Sequence, residues 1–147
     1  MPRILVVDDL PSARKVLSSL LRRIGYSKLV EAPNGHEGLL LAEQDKFDVI
    51  ISDWRMPKLD GIEFLSRLRN GAGASKDTPF LIVTSTTDRE DVVSAINAGV
   101  ADYLCKPFAM QALRGKLELI FRKSGVSDFI RGGDQSAPGE RDTQPRG

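Results

Sequence analysis

VIISDWRMPKLDG, residues 49–61, is the stretch from which the rest of the chain is read. Val49 to Ser52 form a short apolar strand that delivers one carboxylate, Asp53, to its carboxyl end. A loop through Met56-Pro57 follows, and Asp60-Gly61 opens a helix. An ionised carboxylate at the end of a buried strand loses hydration unless something pairs with it. Taken alone, Asp53 reads as a satisfied loop aspartate, and the remaining sequence argues against that.

At 147 residues the chain has the length of one domain, enough to bury a real core. Its charges nearly cancel, leaving a net charge of +1, which favours neither nucleic acid nor a membrane surface as partner. One cysteine, Cys105, excludes an internal disulfide and fits a reducing compartment. The first apolar run, Ile4 to Val7, is too short for a signal peptide core or a membrane span. The expectation is a soluble cytoplasmic protein.

Residues 3–9, RILVVDD, carry the unbroken apolar run of a strand covered on both faces. Pro11 suits a first helical turn, and Gly25 ends that helix. Val16, Leu17, Leu20, Leu21 and Ile24 fall on one stripe, with Arg14, Lys15, Arg22 and Arg23 outside it as a solvated face. Lys28 to Ala32 is a second strand, and a helix with Leu39 and Ala42 in its core face spans about Gly35 to Gln44.

Asp60 and Glu63 read as an N-cap and its reciprocal partner for the third helix, whose inner face is assigned to Ile62, Leu65 and Leu68. Gly71 to Lys76 reads as a flexible turn. Phe80 to Thr84 is a fourth strand, and Thr87 with Glu90 a capping box for a helix that Gly99 terminates. Ala101 to Cys105 is the fifth strand. A last helix near Met110 to Lys123 turns Leu113, Leu117, Ile120 and Phe121 inward.

Five strands alternating with five helices imply a doubly wound α/β domain with a parallel sheet. That domain spans residues 1–123. Residues 124–147 have too little apolar content to repay ordering, so a disordered tail is expected, with Val126 to Ile130 as a candidate docked turn.

In such a sheet, ligands sit beyond the carboxyl ends of the strands, near the switch in strand order. Four strand ends carry chemistry there: Asp8 with Asp9, Asp53, Thr84 with Ser85, and Lys106. Two carboxylates about 4 Å apart repel by roughly 4 kcal/mol at an effective dielectric near 20. One lysine cannot offset three acids, so a proton or a divalent cation must join them. Oxygen donors without His or Cys select Mg2+. The chemistry implied is nucleophilic attack by Asp53 on a phosphoryl group. Mg2+ would be held by Asp9 and Asp53, with Asp8 acting through water, while Lys106 and Thr84 bind the other phosphoryl oxygens.

The segments VVDD, SDWRMPKLDG, IVTS and YLCKPF, at these separations, resemble the receiver domain of two-component response regulators over roughly residues 2–123. Trp54, the VT ending of the fourth strand and Tyr103 before KPF are similar to single-domain chemotaxis receivers. The resemblance implies a flavodoxin-like strand order 2-1-3-4-5. It also implies Asp53 as phosphoacceptor, Asp8 and Asp9 as the acid pair, the Arg55 carbonyl as a third protein ligand to Mg2+, and a cis Lys106-Pro107 bond. Thr84 and Tyr103 become switch residues, with Tyr103 turning from exposed to buried.

The phosphodonor would be a histidine kinase, with a phosphatase as a further candidate partner. The output would be a downstream protein bound by a monomer on the face formed by the fourth helix, fifth strand and fifth helix. Flagellar chemotaxis is the leading role, with a stress or development phosphorelay close behind.

Arg55 departs from the amide that chemotaxis receivers carry there, and with Thr86 it flanks the path of the hydrolytic water, which marks both as rate-tuning. Ser85 is small enough to admit phosphate. Trp54 is expected as a partly exposed wall, His36 as a surface residue and Cys105 as a small core residue. A phosphohydrolase of the haloacid dehalogenase type also pairs an Asp nucleophile with Mg2+. It would want a second acid two residues after the nucleophile, where this chain has Arg55.

Overall fold

The computed structural model describes residues 1–85 and 88–126. The elements run β1 (Arg3–Val7), α1 (Pro11–Ile24), β2 (Lys28–Ala32), α2 (Gly35–Gln44), β3 (Val49–Asp53), α3 (Gly61–Asn70), β4 (Phe80–Thr84), α4 (Arg89–Ala98), β5 (Asp102–Cys105) and α5 (Met110–Ser124). All strand pairs are parallel, in the order β2-β1-β3-β4-β5. The expected doubly wound architecture and strand order are both present.

Alternation along the strands builds two cores. Ile4, Val6, Val49, Ile51, Leu81 and Val83 face one way, against Leu17, Leu21 and Ile24 of α1 and Leu113, Leu117, Ile120 and Phe121 of α5. Leu5, Val7, Ile50, Phe80 and Ile82 face the other, against Ala42 of α2, Phe64, Leu65 and Leu68 of α3, and Ala95 of α4. The sheet is thus covered on both faces, which is why its central strands read as continuous apolar runs.

The helix termini follow local chemistry. Pro11 opens α1, and Gly25 closes it at φ 128°. Asn34 accepts from the Glu37 N–H to cap α2. Asp60 and Glu63 form the complete capping box of α3. At α4 the cap is Asp88, which accepts from the Glu90 N–H. The expected Thr87 cap lies outside the described residues.

Four burial expectations are corrected. Val16 is 60% exposed, because the inward stripe of α1 is Leu17, Ser18, Leu21 and Ile24. Phe64, and not the half-buried Ile62, fills the inner face of α3, where it meets Phe80 edge to face at 5.1 Å. Cys105 is only half-buried, since β5 is an edge strand. The segment at 71–76 is not merely a flexible turn. Ser75 is fully buried, accepts from the Phe47 N–H at 2.8 Å and donates to the Asp45 carbonyl at 2.6 Å. Arg69 holds the same loop through the carbonyls of Lys76 and Thr78.

At the other end, α5 runs on to Ser124, and Val126 packs against the α1–α5 core. The expected tail beyond it, with its candidate turn through Ile130, lies outside the described residues.

Two glycines separate backbone contact from helix propensity. A Cβ on Gly61 would lie 2.6 Å from the Asp53 carbonyl oxygen and 2.9 Å from Ile82 Cδ1, so the loop carrying Asp53 would have to shift. A Cβ on exposed Gly115, in the middle of α5, meets nothing within 4 Å. Gly61→Ala is expected to destabilise by about 2 kcal/mol, and Gly115→Ala to stabilise by about 0.5–1 kcal/mol. Urea midpoints measure both, and a neutral Gly61→Ala would contradict the contact.

Candidate functional site

The switch in strand order falls between β1 and β3, since the chain goes from β1 outward to β2 and returns to β3 on the other side. Val7 and Ser52 are register partners, so the next residues of each strand, Asp8 and Asp53, stand side by side. On β4 and β5, Thr84 pairs with Cys105, and the Lys106 N–H donates to the Thr84 carbonyl at 2.7 Å. The strand register alone therefore carries residues far apart in sequence to one edge. The Lys106-Pro107 peptide bond is cis, as the resemblance implied.

The charges converge closely. Carboxylate oxygens of Asp8, Asp9 and Asp53 lie within 4.8 Å of one another. Lys106 Nζ stands 3.7 Å from Asp8 Oδ2 and 3.8 Å from Asp53 Oδ2. Both separations exceed the roughly 2.7–2.9 Å of a direct charge-assisted hydrogen bond. The ammonium thus attracts both acids without being locked to either. Asp8 is buried, with its Oδ1 accepting from the Leu10 N–H at 3.0 Å.

The Asp53 side chain is 12% exposed, and its carboxyl is pushed above the usual carboxylate range. Burial is the main cause. The Lys106 charge and the Trp54 N–H act against it, and Asp8 and Asp9 add to it.

This donor set fits a hard divalent cation: three carboxylates, with no nitrogen or sulfur ligand among them. Two oxygens on one Mg2+ are at most about 4.2 Å apart, from the 2.0–2.1 Å metal–oxygen distance. Small side-chain rotations would bring 4.8 Å to that spacing. A cleft of about 500 Å3 opens in front, with Asp8, Asp53, Ser85 and Lys106 at its polar end and Leu17, Leu20 and Phe108 along its apolar wall.

Other expected site residues lie around this centre. Thr84 is 3% exposed at the end of β4. Tyr103 is half-buried on β5, packed against the α2–α4 side of the core. Its ring lies 5.8 Å from Lys116 Nζ, outside the cleft lining. The Arg55 side chain points away from the acids to Asp91 of α4, at 3.1 Å. Thr86 lies outside the described residues. His36 is exposed, as expected.

Two expectations fail here. Trp54 is only 5% exposed and belongs to the core with Met56 and Phe64, so it is no exposed wall. Arg14 is not simply a solvated helix charge: it donates to the Asp8 carbonyl at 2.8 Å and pairs with Glu31 at 3.1 Å. The pattern that put Arg14 off the apolar stripe was right, but stripe position carries no information about a backbone carbonyl within reach. Leu17 and Leu20, legible in the sequence only as core, also form with Phe108 the apolar wall of the cleft.

A parallel α/β sheet in this strand order, with three acids and a lysine at its switch point, is a domain of the flavodoxin-like class. The chain belongs to the response regulator receiver domain family, which it matches over residues 4–118.

Among curated relatives, it is 36% identical over 121 residues to the chemotaxis protein CheY of Pseudomonas aeruginosa, covering 82% of this chain and 97% of that protein. Chemotaxis protein CheY-3 of Vibrio cholerae is also 36% identical, with 82% and 92% covered. Among solved structures, chemotaxis protein CheY4 of Vibrio cholerae superposes with a TM-score of 0.74 at 36% identity, covering 82% and 98%. The receiver domain of sensor histidine kinase PA1611 from Pseudomonas aeruginosa, solved with a magnesium ion in its active-site cleft, gives 0.72 at 29% identity, covering 85% and 98%.

The chain is therefore a CheY-like receiver and a signalling protein of a two-component system. These matches do not favour the haloacid dehalogenase alternative. Among the described residues, no helix is long and apolar enough to cross a membrane.

Because Asp53 holds its proton more tightly in the fold than in the unfolded chain, its ionised form costs stability above the usual carboxylate range. Metal-free Asp53→Asn is expected to be about 1 kcal/mol more stable than the wild type at pH 7, first because a buried anion is removed and then from relief of repulsion by Asp8 and Asp9. The advantage should vanish as pH falls below that range, where the wild-type carboxyl is neutral in both states. Chemical denaturation at a series of pH values tests this, and a destabilised variant at pH 7 would contradict it.

Proposed function

We propose that Asp53 accepts a phosphoryl group from a phosphohistidine of a histidine kinase. One Asp53 oxygen attacks phosphorus, the P–N bond breaks, the imidazole takes its electron pair, and an acyl phosphate forms. Water attack on the same phosphorus later returns the carboxylate. The observation that carries this reading is the three-acid cluster with Lys106 at 3.7–3.8 Å, open to a cleft that admits a phosphate.

Asp9, Asp53 and the Arg55 carbonyl would hold Mg2+, with Asp8 acting through water. When bound, the ion neutralises charge on the transferring group. Lys106 supplies a point charge to a phosphoryl oxygen, and the Thr84 hydroxyl a hydrogen bond to another. The magnesium-bound receiver domain of PA1611 supports this ligand choice by analogy.

The signal would be a shift between two arrangements. Inverting a 1:99 ratio needs about 5.5 kcal/mol of differential binding. One or two charge-assisted hydrogen bonds, at roughly 1.5–3 kcal/mol each, come close to that. In this reading Thr84 moves toward the phosphoryl group, and half-buried Tyr103 turns fully inward. A downstream protein binds the α4–β5–α5 face of a cytoplasmic monomer. The chemotaxis relatives support flagellar motor control as the pathway, while a phosphatase could shorten the signal.

Incubation with acetyl phosphate and Mg2+ should add the mass of one phosphate to the wild type, and none to Asp53→Asn or to metal-depleted protein. Labelling of the Asp53→Asn variant would overturn the assignment. Arg55 stands two residues from Asp53, beside the expected path of the hydrolytic water, so Arg55→Asn is expected to change the dephosphorylation rate several-fold in a phosphate-release assay. An unchanged rate would remove Arg55 as a rate-tuning residue.

A further inference from the structure

Helix α4 is the least anchored helix of the described fold. It buries only Ala95, whereas α3 buries Gly61, Phe64, Leu65 and Leu68, and α5 buries Leu113, Leu117, Ile120 and Phe121. Val93 and Ile96 are 47% and 57% exposed. Packing of an apolar face supplies most of what holds a helix in a protein. For α4 that contribution is small, so polar links weigh more.

One such link is specific. Arg55 Nη2 lies 3.1 Å from Asp91 Oδ2 in the first turn of α4. The same guanidinium sits 4.5 Å from the centroid of the Trp54 ring. That ring is a fixed platform, being buried and carried by a residue whose N–H donates to the Val83 carbonyl at 3.1 Å. A planar guanidinium can lie on an aromatic face and present its edge to a carboxylate at once, which an ammonium does poorly. An exposed ion pair alone is worth little. Stacked on a buried indole, it gains a second attachment and loses less freedom on pairing.

We infer that Arg55, held over the Trp54 ring, ties α4 through Asp91 to the loop that follows Asp53, and that this bridge holds α4 in its unphosphorylated position. The tether stands on the geometry alone. Its link to signalling rests on the proposed role of Asp53. A phosphoryl group there adds negative charge two residues from Arg55 and competes with Asp91 for the guanidinium. Breaking the bridge in advance should therefore ease the switch.

Amide hydrogen exchange across α4 reads the tether in unphosphorylated, Mg2+-free protein. Asp91→Asn and Arg55→Gln are each expected to speed α4 exchange about three- to tenfold, the combined weight of an ion pair and a stacked cation. The double variant should add nothing further, and Asp91→Glu should restore slow exchange. Glu90→Gln removes a neighbouring first-turn acid and should leave exchange unchanged, which separates the bridge from a general effect of charge at the helix terminus. Unchanged exchange in the single variants, an additive double variant, or an equal effect of Glu90→Gln would overturn the tether.

Titration with beryllofluoride and Mg2+, followed by fluorine NMR, reads the coupling. The Asp91→Asn midpoint should fall about three- to tenfold, by the same weight. An unchanged midpoint beside faster exchange would overturn the coupling. Failure of the wild type to bind beryllofluoride would overturn the role of Asp53 and the coupling with it, while the exchange data still decide the tether.

Discussion

The crowding of three carboxylates and one ammonium at the carboxyl ends of β1, β3 and β5 is the constraint on which the rest of this molecule turns. Like charges this close repel by several kcal/mol at protein-like dielectric. The fold holds them together because their positions are set by backbone, not by their mutual attraction. Register fixes Asp8 beside Asp53, Leu10 and Arg14 fasten the Asp8 segment, and the Lys106 N–H is pinned to Thr84. Two apolar cores on opposite faces of the sheet supply the stability that this frustration costs. The raised Asp53 pKa, due first to burial and in part to Asp8 and Asp9, is the local sign of it.

From that constraint the chemistry follows in a short chain. In the proposed reaction, a cluster that is unfavourable by itself would become favourable once a cation and a phosphoryl group entered, because each new charge would meet a group already in place. Such preorganisation is the general route by which phosphoryl transfer is assisted with little covalent chemistry from the protein. Membership of the receiver family and the likeness to chemotaxis proteins agree with a signalling domain. Under the proposed phosphotransfer, the cleft wall of Leu17, Leu20 and Phe108 would give the phosphodonor an apolar surface beside the polar end. On the far side, weakly buried α4 is the element best suited to respond.

Much of this was legible in residue order, for identifiable reasons. Strands covered on both faces read as runs such as ILVV and VIIS, and the caps at Pro11, Gly25, Asp60 with Glu63, and Gly99 punctuate the helices. The site was legible because strand ends in a parallel sheet share one edge, so the acids and Lys106 had to meet.

The misreadings share a cause. Val16 and Ile62 lie one position off the true inward stripes of their helices, a difference of packing angle that periodicity cannot resolve. Trp54, Arg14 and Ser75 each depend on a partner distant in sequence: the core around Phe64, the Asp8 carbonyl and the Phe47 backbone. Asp91 went unremarked because an acid in a helix's first turn is ordinary, and only the fold brings Arg55 to it.

The central claim is that these acids and Lys106 form one cradle for a cation and a phosphoryl group. It is tested most directly by a crystal structure of the protein with Mg2+ and beryllofluoride. The account predicts beryllium bonded to an Asp53 oxygen, Mg2+ shared by Asp9 and Asp53, and fluorine atoms within hydrogen-bond distance of Lys106 Nζ and the Thr84 hydroxyl. A structure with beryllofluoride elsewhere, or with Mg2+ away from the acid cluster, would contradict it.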